Sequence, residues 1–425
     1  MSMKFQVKFL VIVLLLVLST TALSKTPVVK WTRQFGTDKE EHGLGVSVDS
    51  SGNAYVTGYT FGAFDGNLNM GNADMFLTKY DTVGNRLWIR QLGSADFDGG
   101  NSVSVDGNGN AYVAGRTDGN LDGNTGAGQT DIFLTKYDTN GVKQWTKQLG
   151  TTNPEEGYGV SVDSSGNAYV TGCTFGGLDG NAKNGGFDIF LTKYDMNGKK
   201  LWTRQLGSAR HDFSRGVSVD RNSNVYVTGY TYGNLDGNVN AGGNDVFLIK
   251  YDSNGKKLWT KQLGTSRWDE GQSVSVDGNG NAYVTGHTAG GLDGHAKSNG
   301  DMFLAKYDTK GNKLWAKQLR LPSLDASNGI SVDDNGNAYI TGHATVFVGV
   351  ATESSMLLAK YDTNGNKLWT KQLPKDCWNE GLGVSVDGSG NVYVTGYADG
   401  SLNGNKSLGK GDMFLIKISD TPKPK

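Results

Sequence analysis

Short apolar stretches alternate with glycine- and asparagine-rich stretches along almost the whole chain. The first set reads "GVSVD" (45–49), "AYVTG" (54–58), "MFLTKY" (75–80) and "RLWIRQL" (86–92). Runs of this length that are rich in β-branched and aromatic residues, and that turn residues bound on both sides, are typical of β-strands. The pattern therefore predicts a unit of four short strands.

This four-strand unit recurs along the chain. Its period is set by seven tryptophans in the pattern W-x-[RK]-Q-[LF], spaced 54 to 57 residues apart: Trp31, Trp88, Trp145, Trp202, Trp259, Trp315 and Trp369. Seven copies of a four-stranded unit are typical of a β-propeller, in which each copy forms one blade of a ring. We expect these tryptophans to dock one blade against the next.

The two ends of the repeat region bear on how the ring closes. Residues 28–35, "VVKWTRQF", read as a fourth strand with no unit before it, and residues 412–418, "DMFLIKI", read as a third strand with no fourth after it. Pairing these two strands leaves no exposed sheet edge, whereas an open solenoid, the competing architecture, needs polar caps instead. We therefore predict an all-β fold, a seven-bladed β-propeller of four-stranded antiparallel blades over residues 25–420. Strand 28–35 closes its ring, and a short tail (421–425) follows.

The turns between the first and second strands and between the third and fourth strands commonly read D-x-x-G-N, as at residues 49–53 and 81–85. An aspartate at the start of such a turn accepts hydrogen bonds from amides ahead of it, and the glycine takes the positive φ that the turn needs. We interpret these aspartates as structural rather than catalytic or metal-binding.

The repeated phrases resemble a known family. "GNAYVTG" (52–58), "DMFLTKYD" (74–81) and "KYDTNGNKLW" (360–369) are similar to the bacterial β-propeller repeat called SBBP, and the resemblance covers roughly residues 28–420. It implies the propeller fold and export from the cell. It implies no activity, so no catalytic residue is carried over from it.

The N-terminus has the layout of a secretory signal peptide. Lys4 and Lys8 precede a ten-residue apolar run (9–18), and the small residues Ala22 and Ser24 fit cleavage after Ser24. The run is short for a membrane span, although an uncleaved anchor is the alternative. We predict a signal peptide at residues 1–24, no membrane span after its removal, and a secreted, periplasmic or cell-surface location.

Charge and cysteine content narrow the possible partners. The 41 basic and 42 acidic residues nearly balance, so nothing favours nucleic acid. Cys173 and Cys377 fall on blades nearly opposite one another, too far apart for a disulfide, and we predict none. We expect a monomer.

The loops after the second and fourth strands of each unit are long and variable, and binding residues tend to lie on such loops. Around the ring, the residue expected near the central channel changes from blade to blade: Leu44, Asn101, Tyr158, Arg215, Gln272, Asn328 and Leu382. Our candidate ligand-binding residues on this face are Tyr59, Arg116, Tyr158, Arg215, Tyr230, Trp268, His287, His343, Trp378 and Tyr397. Exposed aromatic rings beside polar groups suit a carbohydrate, and a protein partner is also compatible. Free drift of loop positions is the alternative.

Three further kinds of chemistry were weighed. The polar loops at residues 65–74 and 122–131 offer oxygen ligands for calcium, with Asp65, Asn67, Asp122 and Asn124 as candidates, but the spacing is not that of an EF-hand. The "G-x-x-LW" phrase is reminiscent of quinone-binding propellers, although docking of blades explains it without a cofactor. An exported polysaccharide hydrolase or lyase could use Arg215, with the histidines His211, His287 and His343, at the channel mouth. We expect a non-catalytic binding or scaffold protein without a cofactor, and keep the enzyme as the alternative.

Overall fold

Seven four-stranded antiparallel sheets make up the protein. The computed structural model describes residues 27–294, 300–319, 324–348, 351–373 and 377–419, and this part of the chain contains 28 strands and three short 3-10 helices. The first strands of the sheets contact one another in a closed cycle, from the first blade to the seventh and back. The predicted seven-bladed β-propeller is confirmed.

Each blade runs from its first strand, at the central channel, to its fourth strand, at the rim. Blades one to four comprise β2 (Glu41–Val48), β3 (Ala54–Thr60), β4 (Asp74–Tyr80) and β5 (Arg86–Leu92); β6 (Asp98–Val105), β7 (Ala111–Thr117), β8 (Asp131–Tyr137) and β9 (Lys143–Leu149); β10 (Glu155–Val162), β11 (Ala168–Thr174), β12 (Asp188–Tyr194) and β13 (Lys200–Leu206); β14 (Asp212–Val219), β15 (Val225–Thr231), β16 (Asp245–Tyr251) and β17 (Lys257–Leu263). Blades five to seven comprise β18 (Asp269–Val276), β19 (Ala282–Thr288), β20 (Asp301–Tyr307) and β21 (Lys313–Leu319); β22 (Leu324–Val332), β23 (Ala338–Val348), β24 (Ala351–Tyr361) and β25 (Lys367–Gln372); β26 (Trp378–Val386), β27 (Asn391–Asp399), β28 (Asp412–Ser419) and β1 (Val28–Phe35). The 3-10 helices, at Leu121–Gly123, Leu178–Gly180 and Leu292–Gly294, follow the second strands of blades two, three and five.

The ring closes as predicted. Strand β1 pairs antiparallel with β28, with Val28 opposite Ser419 and Phe35 opposite Met413. Across the same seam, the Tyr393 hydroxyl donates a hydrogen bond of 2.9 Å to the carbonyl of Gly52 in the first blade. The strand that begins the propeller is thus the outer strand of its last blade.

The repeated phrases connect neighbouring blades. Trp88 Nε1 donates to the carbonyl of Thr139 in the next blade at 3.2 Å, and Lys79 Nζ donates to the Thr139 hydroxyl at 2.8 Å. Tyr55 is fully buried, and its hydroxyl donates to the Gly109 carbonyl at 2.9 Å. These tryptophans and tyrosines therefore dock the blades, as predicted for the tryptophans.

The D-x-x-G-N turns are held by their own aspartates. In the first turn, Asp49 Oδ1 accepts hydrogen bonds from the backbone amides of Ser51 at 3.0 Å and Asn53 at 2.9 Å, while Oδ2 accepts from the Asn53 side chain at 2.8 Å. Gly52 has a φ of 80°, which a residue with a Cβ rarely adopts. Asp49 is thus a turn residue, in agreement with the sequence interpretation.

Two elements differ from the sequence pattern. The first strand of the first blade begins at Glu41 rather than at Gly45, because its early half carries polar residues that the apolar pattern misses. In the sixth blade, residues 345–348 belong to β23 and residues 351–354 to β24, so these two strands pair over a longer stretch than their equivalents in the other blades.

Pairs of buried carboxyl groups lie at the junctions between blades. Asp74 and Asp98 are both fully buried, and burial raises the pKa of each. Oδ2 of Asp74 accepts hydrogen bonds from the Met70 amide and the Gln91 side chain, both at 2.9 Å, but its buried Oδ1 has no partner. Pairs of carboxyl groups also lie at other junctions, as Asp412 with Glu41, Asp131 with Glu155, Asp188 with Asp212, and Asp245 with Asp269. Burial raises the pKa of Glu41, Glu155, Asp212 and Asp245 in these pairs.

The predicted signal peptide, residues 1–24, and the predicted tail, residues 421–425, lie outside the described residues. In the described part of the chain, no helix has the length and apolar character needed to span a membrane.

Candidate functional site

A β-bulge interrupts the first strand of every blade at the same place. One extra residue without a cross-strand partner occurs there in each blade: Leu44, Asn101, Tyr158, Arg215, Gln272, Asn328 and Leu382. Bulges of this kind redirect a side chain out of the regular alternation. All seven residues line one cavity of about 160 Å³ at the centre of the ring.

A second ring of variable side chains lies next to the first. Its members follow the "VTG" phrase in the second strand of each blade: Tyr59, Arg116, Cys173, Tyr230, His287, His343 and Tyr397. They pair across the sheet with first-strand residues that lie two positions before the bulge: His42, Gly99, Glu156, Phe213, Glu270, Ala326 and Glu380. We call these residues together with the seven bulge residues the channel mouth.

On one side of the channel mouth, cationic and aromatic side chains are connected. Arg116 Nη1 forms an ion pair of 3.0 Å with Glu156, which also accepts a hydrogen bond from the Tyr158 hydroxyl. The Arg215 guanidinium lies 4.2 Å from the centre of the Tyr158 ring, and its Nη2 donates to the Tyr230 hydroxyl at 3.2 Å. Burial raises the pKa of Tyr158, so this phenol is neutral.

The opposite side carries imidazoles and carboxylates. His287 Nε2 lies 3.4 Å from Glu270, and His343 Nδ1 lies 3.7 Å from Glu380. Burial lowers the pKa of His287, with the nearby Glu270 carboxylate opposing that shift. The Nδ1 atoms of both histidines are buried without a hydrogen-bond partner. Trp378, which begins strand β26 rather than lying in a loop, donates from Nε1 to Glu380 at 3.2 Å.

An aromatic stack joins the first and seventh blades. The His42 ring lies 4.9 Å from the Tyr59 ring and 4.2 Å from the Tyr397 ring, centre to centre. Its Nε2 is 2.7 Å from a carboxylate oxygen of Glu40. Two of the candidate residues thus meet around a histidine that sequence reasoning left out.

Some candidate residues lie away from these contacts. Trp268 precedes β18 in a loop and leaves 69% of its surface exposed. His211 packs against the rings of Phe187 and Phe213 in the loop region of the fourth blade. Cys173 is buried and Cys377 half-buried, and neither forms a disulfide.

The calcium candidates make contacts within the protein. Asp65 forms an ion pair with Arg86, and Asp122 forms one with Lys143. The side-chain amides of the two asparagine candidates, Asn67 and Asn124, donate to the carbonyls of Asp65 and Leu121, at 3.0 and 2.9 Å. Within the described ranges, no cluster of three or more histidine, cysteine or acidic side chains is placed to hold a metal ion.

Sequence reasoning missed His42, Glu156, Glu270 and Glu380. All four occupy the position two residues before the bulge, so each shares a side of the strand with the bulge residue. Their constant position, two residues before a residue that varies from blade to blade, is the sequence signal that could have identified them.

Comparison with known sequences identifies the family of the repeated units. The profile of SBBP, described as a β-propeller repeat, matches residues 30–65, 87–122, 144–178, 201–236, 258–293 and 314–346. An uncharacterised WD repeat-containing protein of Acanthamoeba polyphaga mimivirus is 24% identical over 91% of this chain, and regulatory protein FlaEY of Caulobacter vibrioides is 28% identical over 73% of it. The matched regions span only 38% and 31% of those two proteins.

Solved structures of similar shape share little sequence with this chain. One is an ulvan lyase, a polysaccharide lyase solved with a bound saccharide fragment. It is 12% identical, with a TM-score of 0.49, and the match covers 91% of this chain and 96% of the lyase.

Proposed function

Because the chain belongs to the SBBP β-propeller repeat family, whose repeated residues build the scaffold, we propose that its function is carried by the channel mouth. The proposal is that the protein is exported and binds a carbohydrate there without catalysing a reaction. The apolar run of residues 9–18 and the small residues after it support export.

One observation carries the binding proposal: the blades differ most where their side chains converge. Positions at which the blades carry the same residue serve in packing and in turns. At the channel mouth, by contrast, the aromatic rings of Tyr230 and Tyr397 lie near the carboxylates of Glu270 and Glu380. Flat aromatic surfaces beside hydrogen-bonding groups suit the apolar faces and hydroxyls of sugars.

The size of the central cavity indicates how a ligand could bind. Its volume of about 160 Å³ is below the roughly 300 Å³ at which pockets begin to enclose a drug-sized ligand. A substituent of a sugar can enter such a cavity, while the rest of the ligand lies across the face. This geometry favours an oligosaccharide or polysaccharide over a small molecule enclosed in the channel.

An exported hydrolase or lyase is the second candidate, and His287 is the observation that favours it. Its pKa is lowered by burial, so the imidazole is neutral at pH 7 and able to accept a proton. The nearby Glu270 could orient it. The enzyme would act on the same glycan, at the same face.

Binding and turnover are separated by one set of measurements on the full chain. Thermal melting and calorimetric titration against neutral and acidic oligosaccharides are expected to give a ligand that raises the melting temperature without being degraded. Tyr158→Ala and His287→Ala are expected to fold and to lose affinity. Arg221→Gln is the control, since Arg221 pairs with Asp334 on the other face of the disc. We call this the hairpin face, because it carries the turns between the first and second and between the third and fourth strands, such as 49–53 and 81–85.

Three results contradict the proposal. Retained affinity in both channel-mouth variants places the site elsewhere. Degradation of the saccharide replaces binding with catalysis. If the chain binds another protein and no glycan, the ligand of the channel mouth is a protein and not a carbohydrate. Export is tested separately, by cell fractionation and by mass spectrometry of the mature N-terminus, which is expected at Lys25.

A further inference from the structure

Arg215 has no ion-pair partner among the residues that the structure describes. Its guanidinium lies against the Tyr158 ring at 4.2 Å and at 5.6 Å from the Tyr230 ring. Its hydrogen bond goes to the neutral hydroxyl of Tyr230. In the part of the chain that the structure describes, Arg215 forms no ion pair, and its buried Nε has no hydrogen-bond partner.

The other arginine of the channel mouth provides a comparison. Arg116 forms an ion pair of 3.0 Å with Glu156. Charged groups removed from water are normally paired, and Arg116 follows this rule while Arg215 does not. A guanidinium with an open edge, held between two aromatic rings, is suited to a planar carboxylate.

The position of Arg215 makes it accessible to a ligand. It is a bulge residue and lines the central cavity. The cavity volume of about 160 Å³ corresponds to roughly five water molecules, which is room for a carboxylate but not for a sugar chain. An anionic substituent could therefore reach Arg215 while the chain that carries it remains on the face.

The surrounding groups indicate what kind of molecule carries the anion. Glu156, Glu270 and Glu380 are arranged around the same channel mouth and are hydrogen-bond acceptors. They suit the hydroxyl donors of a sugar. We propose that Arg215 binds the carboxylate of a uronic acid residue, and that the ligand of the channel mouth is an acidic glycan. This inference rests on the carbohydrate-binding function proposed above.

The direct test is calorimetric titration of the full chain with oligomers of glucuronic, galacturonic, mannuronic and guluronic acid. Each oligomer is compared with its methyl ester and with a neutral glucan of equal length. We expect at least one acidic oligomer to bind, and its ester to bind at least tenfold more weakly. Because this comparison uses the unaltered protein, it does not depend on the folding of a variant.

Single substitutions show whether affinity for the acidic oligomer depends on Arg215. Arg215→Gln is expected to lose at least tenfold in affinity for the acid and little for the ester. Tyr230→Phe removes the hydroxyl that orients the guanidinium and is expected to show a smaller loss. Arg221→Gln, in the same blade but on the hairpin face, is expected to bind like the unaltered chain.

The remaining outcomes overturn the inference in distinguishable ways. If acid and ester bind equally, or if Arg215→Gln binds the acid normally, the anion site is wrong while carbohydrate binding stands. If no acidic or neutral glycan binds, the proposed function itself is wrong. If a polyglutamate peptide binds through Arg215 while the glycans do not, the anion site exists but serves another class of ligand.

Discussion

The two faces of the disc are built from the same seven repeats but differ in how their polar groups are satisfied. On the hairpin face, turn aspartates such as Asp49 and Asp362 use both carboxylate oxygens in local hydrogen bonds. At the channel mouth, Arg215 Nε and His287 Nδ1 are buried without a hydrogen-bond partner, and His343 Nδ1 has only the Glu380 carboxylate, 3.7 Å away. Buried polar atoms are nearly always paired unless another role keeps them open. Repeated residues such as Asp74 also have a buried oxygen without a partner, but they lie at the junctions between blades, whereas Arg215 varies between blades and lines the central cavity. We therefore assign the fold to the repeated residues and ligand binding to the varied ones.

The largest effect is expected within the scaffold. Phe247→Ala removes a fully buried ring from the fourth blade and is expected to lower the free energy of unfolding by about 3–5 kcal/mol. Arg215→Gln, in the same blade, is expected to change it by less than about 1 kcal/mol, because no ion pair is lost. Urea denaturation of both variants checks this. Equal destabilisation by the two changes would make Arg215 a scaffold residue.

The carboxyl pairs between blades give a pH dependence. Burial raises the pKa of at least one member of each pair above the ordinary value of 3.8 for Asp or 4.5 for Glu. A group whose pKa is higher in the folded state stabilises the fold below its unfolded pKa, and this stabilisation is lost as pH rises through the folded pKa. The free energy of unfolding is therefore expected to fall as pH rises from about 4 toward neutrality. The lowered pKa values of His287 and of the turn aspartates Asp81, Asp308 and Asp362 act in the opposite direction. The aspartates lose their stabilising effect only as pH falls through values below their ordinary pKa of 3.8, outside this range.

A single substitution tests the origin of this pH dependence. Asp74→Asn removes one charge and offers a donor to Asp98, so a gain of about 1–3 kcal/mol at pH 7.5 is expected, together with a weaker dependence on pH. The protein already contains one junction without a carboxyl pair, since the uncharged residues Ser355 and Asn379 occupy the equivalent places between blades six and seven. Thermal melts at pH 5 and pH 7.5 measure the effect. A destabilised variant, or one with an unchanged pH profile, would show that the pair is not the source.

A smaller effect is expected on the hairpin face. Asp362 Oδ1 accepts hydrogen bonds from the amides of Asn364 at 2.9 Å and Asn366 at 2.8 Å. Asp362→Ala is expected to cost about 1 kcal/mol of stability and to leave ligand affinity unchanged. Denaturation and titration of the same preparation check both statements. Reduced affinity in this variant would break the separation between the faces.

The smallest effect concerns the cysteines. Burial raises the pKa of the Cys173 thiol to about 12, so iodoacetamide at pH 8 is expected to modify the half-buried Cys377 first. Mass spectrometry after timed alkylation, with urea-denatured protein as the control, gives the two rates. Rapid modification of Cys173 in the folded protein would show that the channel mouth opens more widely than the structure indicates.

The fold could be predicted because its determinants are local and repeated. Strand patterns, turn residues such as Gly52 and the tryptophan period all occur in consecutive residues, and the incomplete units at residues 28–35 and 412–418 indicated the closure. Each blade repeats the same information, so an irregular unit such as the sixth does not obscure it.

The site could be predicted only in part, because a bulge changes the alternation of a strand. In β2, Glu41 and Gly43 are buried before the bulge and Val46 after it, so the buried side shifts at Leu44. Because of this shift, the two-residue alternation by which a strand is recognised in the sequence begins only after the bulge. For this reason the sequence pattern predicted a strand from Gly45, and His42 fell outside it. Ion pairs such as Arg116–Glu156 connect different blades. The number of residues between two positions in the sequence does not give their distance in space.

The central claim is that ligand contacts lie at the channel mouth and not on the hairpin face. Hydrogen–deuterium exchange of the full chain, with and without a saturating acidic oligosaccharide, tests this most directly. Slower exchange is predicted in peptides covering Glu155–Val162 and Asp212–Val219, with no change at the hairpin turns 138–142 and 195–199. Protection of those turns, or unchanged exchange around Tyr158 and Arg215 with ligand bound, would contradict the account.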